Sequence, residues 1–211
     1  MKNQSPFSLS TLRSVSAIVF LFYSVSAEYS SELPPNSSSA AADDEFIRTS
    51  CGQTQYPDLC YASLSAYAGD VLQDPARLAC AAINVSLSTA RDTACFLSNI
   101  SRQASSGRDR TAAALHDCVE VFHDAVAQLR DSLGQMGKLG SGGEPLKFQL
   151  SNVQTCMSAA LTNEDTCTDG FEDVPDGGVK MGVCDRVGEA KKVTSNALAL
   201  VNLYVSKVSS P

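Results

Sequence analysis

Apolar residues recur at alternating steps of three and four along four long stretches of the chain, the spacing that lines one face of an α-helix. The first stretch, 74–104, carries Ala76, Cys80, Ile83, Leu87, Ala90, Ala94 and Leu97. It opens on Asp74-Pro75, an acid suited to capping free backbone N–H groups and a proline suited to the first helical position. It ends before Ser105-Ser106-Gly107. The second, 109–136, has the cleanest stripe: Leu115, Val119, Phe122, Val126, Leu129, Leu133 and Met136, followed by a loop at Gly140-Ser141-Gly142-Gly143. The third, 145–167, carries Leu146, Leu150, Val153, Met157 and Ala160, with Cys167 three heptads after Leu146. The polar run 169–178 breaks the pattern. The fourth, 179–207, carries Val183, Val187, Ala190, Thr194, Ala197, Val201 and Tyr204, with Val208 just beyond. Each stripe needs neighbours on one side only, so four such helices joined by short loops predict an up-down-up-down bundle.

Ahead of the bundle, Asp43-Asp44-Glu45 places acids where a helix dipole favours them, which predicts a short helix from about 44 to 50. Tyr56-Pro57 predicts the start of a second. The fold expected is therefore all-α: a four-helix bundle (74–208) preceded by a short N-terminal helical hairpin (43–68), together one domain over 43–208. No strand of any length is expected. Residues 28–42, rich in Ser, Ala and Pro, read as a disordered leader.

The first 27 residues read as a secretory signal peptide. Lys2 and Arg13 supply positive charge, Val15 to Tyr23 forms a short apolar core, and Val25-Ser26-Ala27 offers small residues for a cut after Ala27. The apolar run is well short of the ~20 residues that span a bilayer, so no membrane attachment is expected of the mature chain. Removing 1–27 takes two basic and no acidic residues and moves the net charge from −7 to −9. So acidic a chain is not expected to bind nucleic acid, and it would repel a polyanion such as a pectin chain.

All eight cysteines lie after the cut, and an oxidising compartment favours bridges among them. Eight allow more than a hundred connectivities. Cys80 and Cys95 sit on one helix about 22 Å apart, beyond the ~7 Å that a bridge tolerates. Cys51 and Cys60 could close across the hairpin, and Cys118 and Cys167 could meet between antiparallel neighbours. Sequons at Asn36, Asn84 and Asn99 mark N-glycosylation sites; on the first long helix both Asn84 and Asn99 can face solvent.

Catalysis finds no foothold. His116 and His123, seven apart with Asp117 and Asp124 beside them, read as exposed histidines flanking a core stripe, not as metal ligands, which sit four apart on helices and need a third partner. Neither GxSxG nor HExxH occurs. The acids Glu164, Asp165, Asp169, Glu172, Asp173 and Asp176 lack EF-hand spacing and read as a solvated loop. No enzyme activity, metal or cofactor is expected.

Three motifs in order carry a resemblance. Phe46-Ile47-Arg48-x-Ser50-Cys51-x-x-Thr54-x-Tyr56-Pro57-x-Leu59-Cys60, then Ala114-Leu115-x-Asp117-Cys118-x-Glu120-x-Phe122-x-Asp124-Ala125, and then Ser158-Ala159-Ala160-Leu161-Thr162-Asn163-Glu164-Asp165-Thr166-Cys167-x-Asp169-Gly170-Phe171 resemble the plant invertase/pectin methylesterase inhibitors. The likeness covers 44 to about 207 and is strongest to the pectin methylesterase branch. It implies a bundle behind a hairpin, bridges Cys51–Cys60 and Cys118–Cys167, and secretion to the cell wall. It also implies inhibition of pectin methylesterase by one-to-one binding at its cleft, with acid invertase as the alternative target. A helical storage or carrier protein is the second alternative. Placed relative to Cys118 and Cys167, the implied partner contacts are Glu120, Asp124, Gln154, Thr166 and Asp169. The chain departs from the family at Cys156, where members usually carry Trp, and this leaves Cys80, Cys95, Cys156 and Cys184 outside the usual framework. The Pro-Lys-Phe tripeptide of the invertase branch is interrupted here, as Pro145-Leu146-Lys147-Phe148.

Overall fold

Two aspartates start two of the long helices. Asp74 accepts hydrogen bonds from the backbone N–H groups of Ala76 (2.8 Å) and Arg77 (3.4 Å), and Asp109 accepts one from Ala112 (2.9 Å). Each satisfies donors that a helix start leaves open. In the computed structural model, which describes residues 37–104, 109–140 and 145–209, the elements run α1 (Ser37–Cys51), α2 (Pro57–Leu64), a 3₁₀ turn (Ser65–Tyr67), α3 (Ala68–Val71), α4 (Pro75–Ala104), α5 (Arg110–Met136), α6 (Leu146–Asp169) and α7 (Gly178–Ser209). The described residues contain no strand and belong to one compact unit. The expected signal peptide, the sequon at Asn36 and the leader up to that residue lie outside the described residues.

The four long helices pack as a square. α4 and α6 each touch α5 and α7, and lie diagonally opposite one another. Leu115, Phe122 and Leu129 of α5, Leu150, Val153 and Met157 of α6, Ile83 and Leu97 of α4, and Val187 and Val201 of α7 are all fully buried. Burying a side chain of this size stabilises by about 1.5–3 kcal/mol, so the square is held by many comparable contacts. Phe171 and Val174, in the polar run between α6 and α7, turn inward and close one end of the core.

Several expectations shift. α1 begins at Ser37, seven residues earlier than the acids suggested, so 37–42 is helical and not leader. The acids lie mid-helix because the run Ala40-Ala41-Ala42 extends a helix anchored by buried Ile47 downstream. On α4 the buried face runs through Leu78, Ala79, Ala82 and Ser86, leaving Ala76 and Cys80 only half-buried. Val208 is exposed.

The hairpin of α1 and α2 is fastened by fewer and more specific ties. Cys51 and Cys60 are bridged with Cα atoms 5.5 Å apart. The Tyr61 hydroxyl donates to Asp44 (2.7 Å), and the Arg48 guanidinium lies 4.0 Å over the Tyr61 ring. Leu72 and Gln73 adopt left-handed backbone (φ 50° and 59°) where the chain reverses into α4, and the Gln73 amide donates to buried Asp43 (2.9 Å). Against the bundle, Asn196 of α7 grips the Tyr56 backbone at both ends: its Oδ1 accepts from the Tyr56 N–H (3.0 Å) and its Nδ2 donates to the Tyr56 carbonyl (2.9 Å).

Candidate functional site

The outer side of α5 and α6 is fixed by a covalent tie. Cys118 and Cys167 are bridged, with Cα atoms 4.3 Å apart. Because the helices are antiparallel, the bridge sets their register. Glu120 and Asp124 rise from it on α5, while Thr166 and Asp169 flank it on α6. At 1.5 Å per residue, Asp169 lies about 6 Å from the level of Glu120 along the bundle axis and about 12 Å from that of Asp124. All four are exposed. Glu120 points almost directly away from the buried stripe of α5. Asp124 lies three turns before Gln135, whose amide reaches the Cys156 sulfur of α6 at 3.9 Å, so it leans toward α6. The Thr166 hydroxyl donates back to the Thr162 carbonyl (2.9 Å), leaving its oxygen able to accept.

Gln154 is not part of this group. It is half-buried, about 20 Å along α6 from the bridge, and its amide donates to Asn202 of α7 at 2.8 Å. Thus the structure brings Glu120, Asp124, Thr166 and Asp169 to one end of one face and turns Gln154 toward another. His116 is exposed beside them, its ring nitrogens 3.6 Å from Asp117 and 4.0 Å from Glu120. These three exposed side chains bring ligand atoms within 4.8 Å, and any ion there would take most of its shell from water. His123 lies elsewhere, against α4 in a groove shared with Asn99 and Arg102.

The inner side of α6 holds a group that the sequence reading misplaced. Glu164 is fully buried instead of belonging to a solvated acidic loop. It continues the stripe, four residues after Ala160 and three before Cys167, and that step was the available signal. Its Oε1 accepts from the Thr194 hydroxyl (2.9 Å), which in turn shares a hydrogen bond with Ser86 (2.8 Å), linking α6, α7 and α4. Its Oε2 has no hydrogen-bond partner among the described residues. Burial, with Asp165 adding to it, pushes the carboxyl up to about 8, against the opposing pull of the Thr194 hydrogen bond and Lys191. Lys191 itself pairs with Asp165 on the surface above.

A second concavity lies between the hairpin and α7. Gln55, Tyr56 and Pro57 face Gly188 and Lys192 across an open groove of about 690 Å³. Its charges are mixed, with Asp58, Asp185 and Glu189 beside Lys192. The void behind Cys60 and Asn196 measures about 10 Å³, the scale of a single water. Cys80, Cys95, Cys156 and Cys184 are free thiols; burial, reinforced by Asp74 for the first and Asp131 for the third, pushes Cys80 and Cys156 up. No helix among the described residues is long and apolar enough to cross a membrane.

Comparison with known proteins converges on one group. The family described as plant invertase/pectin methylesterase inhibitor matches residues 45–200. The Arabidopsis thaliana protein named pectinesterase inhibitor 11 is 39% identical over 192 residues, 90% of this chain and 95% of its own length. A Daucus carota protein named 21 kDa protein is 41% identical over 171 residues, 80% of this chain and 88% of its own. In fold, the chain is similar to a mutant form of an Arabidopsis pectin methylesterase inhibitor in a crystal structure (TM-score 0.59, 21% identity, covering 74% of this chain and 95% of that one). With a matched segment that spans α1 to α7 and relatives aligned over nearly their whole lengths, this chain belongs to the plant invertase/pectin methylesterase inhibitor family.

Proposed function

We propose that this protein is a secreted inhibitor of plant pectin methylesterase, binding the enzyme one-to-one and closing its active-site cleft, so that de-esterification of cell-wall pectin is limited. The observation that carries the reading is the 39% identity over nearly the whole chain to a protein named as a pectinesterase inhibitor. The outer α5–α6 face is consistent with it. Carboxylates of Glu120, Asp124 and Asp169 crowd one end of a rigid, bridged helix pair, and they suit donors or cations on a partner better than a polyanionic pectin chain. Secretion rests on the signal-like first 27 residues, and the apoplast follows from the target.

The test titrates the purified chain against a plant pectin methylesterase and against an acid invertase. Esterase activity should fall in a saturable way with an equivalence point at one inhibitor per enzyme, while the chain alone hydrolyses neither pectin nor sucrose. Inhibition of the invertase with the esterase untouched would move the protein to the other branch. Binding of neither, with an apolar ligand retained through purification, would favour a carrier.

A further inference from the structure

We propose that Asn84 and Asn99 both carry N-linked glycans, making the outer side of α4 a sugar-covered face, and that the glycan on Asn99 roofs the groove between α4 and α5 and the thiol of Cys95. Both asparagines sit in sequons, Asn84-Val85-Ser86 and Asn99-Ile100-Ser101, and both are exposed. They are 15 residues apart on one helix, about 22 Å along its axis and about 60° around it. They straddle the line opposite the buried face that runs through Ala79, Ile83, Ser86, Ala90 and Leu97. A glycan on either would extend straight into solvent.

At Asn99 the side chain is already arranged for the linkage. The Arg102 guanidinium donates to its Oδ1, engaging the oxygen. Among the described residues its Nδ2, the atom that would bear the sugar, makes a long contact of 3.8 Å to the Cys95 sulfur one turn earlier. Cys95 is an exposed free thiol, an oxidation and disulfide-exchange liability in the compartment this chain is read to occupy. Asn99 and Cys95 line a groove of about 350 Å³ with Arg91, Arg102 and His123, and a glycan rooted at its rim would cover it. α4 lies diagonally across the bundle from α6, so the sugars would leave the outer α6 face and its bridge open.

The chemistry is transfer of an oligosaccharide from a lipid-linked diphosphate donor in the secretory lumen. A bond forms between Nδ2 and the anomeric carbon, the bond from that carbon to the diphosphate oxygen breaks, and the amide gives up one proton as the lipid diphosphate leaves. At Asn84 the order of events is fixed. Ser86 of that sequon is buried and bonded to Thr194 in the folded chain, so the transferase must read it before α4 docks on α7.

The inference rests on secretion and not on the identity of the target. The full chain, with its own N-terminus, is expressed in plant cells and collected from the medium. Intact mass is measured before and after enzymatic deglycosylation, for the wild type and for Asn84→Gln and Asn99→Gln. Each substitution should remove one glycan from the wild-type complement, which also counts any at Asn36. Separately, the native proteins are labelled with a bulky maleimide and mapped. Cys95 should react several-fold faster in Asn99→Gln than in the wild type, while Asn84→Gln leaves its rate unchanged. Secreted protein of unmodified mass overturns the inference alone. Protein retained in the cell and unmodified overturns it together with secretion. Equal Cys95 rates in the wild type and Asn99→Gln overturn the roof. None of these readouts involves the esterase, whose failure to bind would count only against the proposed function.

Discussion

The bundle and the hairpin in front of it are held by opposite strategies. In the bundle, α4 to α7 share dozens of interchangeable apolar contacts, and the Cys118–Cys167 bridge adds a constraint to helices already committed to pairing. In the chain-entropy treatment that bridge contributes ~4 kcal/mol, its loop being about 50 residues long. The hairpin buries little of its own: Ile47 and Leu64 are its large apolar anchors. It depends on the Cys51–Cys60 bridge, worth ~2.7 kcal/mol on the same reckoning for a loop of about 10 residues, and on the two-ended grip of Asn196 on Tyr56. Distributed contacts fail gradually and globally. Discrete ties fail one at a time and locally.

That contrast can be broken most forcefully in the core. Phe122→Ala should cost about 3–5 kcal/mol, because the residue is fully buried and the core around it must either collapse or leave a cavity. Denaturant melts followed by helical signal should shift as one transition. A loss of less than about 1 kcal/mol would mean that the square is looser than its burial implies.

Next in size is a pH effect confined to the bundle. The Glu164 carboxyl titrates near 8 in the fold against an ordinary 4.5. A raised acid pKa means that the neutral form is the one the fold accepts. The stability it permits is therefore fully present below about pH 4.5 and declines as pH rises through about 8. The decline should amount to a few kcal/mol, at about 1.4 kcal/mol per pKa unit. Unfolding midpoints at pH 5, 7 and 9 should fall in that order. Glu164→Gln, which still accepts from Thr194 and cannot ionise, should flatten this part of the profile. Parallel profiles for the two proteins would place the titration elsewhere.

Smaller again is the release of the hairpin. Asn196→Ala removes both hydrogen bonds to the Tyr56 backbone and should cost about 1–3 kcal/mol. Amide exchange should accelerate in α1 and α2 and stay unchanged in the middle of α5 and α6. Uniform acceleration would show that the hairpin and the bundle unfold as one unit. The smallest effect on folding belongs to the exposed face. Asp124→Ala and Asp169→Ala should change stability by less than about 0.5 kcal/mol. If these carboxylates meet the esterase in the interface centre, each should weaken its binding by ~1–3 kcal/mol, and at the rim by almost nothing.

The helices were legible because their ends and their periods agree. Asp74-Pro75 and Asp109 cap where the stripes begin, and the four long helices fall within two residues of the spans read from the sequence. Acids suit a first helical turn and so point to a shorter α1, while the Ser and Ala ahead of them are simply permissive and carry no start signal. Glu164 was misassigned because residue type outweighed register: a carboxylate in a core position looks like its acidic neighbours unless the step from Ala160 to Cys167 is followed. The phase of α4 slipped at Ala76 and Cys80 because Ala and Cys suit a half-buried position as well as a buried one. For the candidate face, exposure followed from periodicity, and Glu120, Asp124, Thr166 and Asp169 came out together. Gln154 did not, since nothing in its spacing reveals that Asn202 of α7 holds it. The pairing of the cysteines came from resemblance to a family and not from their spacing.

The Cys118–Cys167 bridge also gives the molecule a topology. It closes a covalent ring that contains most of α5, most of α6 and the whole connection between them. A protease that cuts once within that connection opens the ring without releasing a piece. The nicked protein stays a single molecule of unchanged size on a non-reducing gel, with both helices still crossed by the bond that aligns them. Only a reductant separates the two halves; a second cut inside the ring frees the segment between the cuts and still leaves the halves joined.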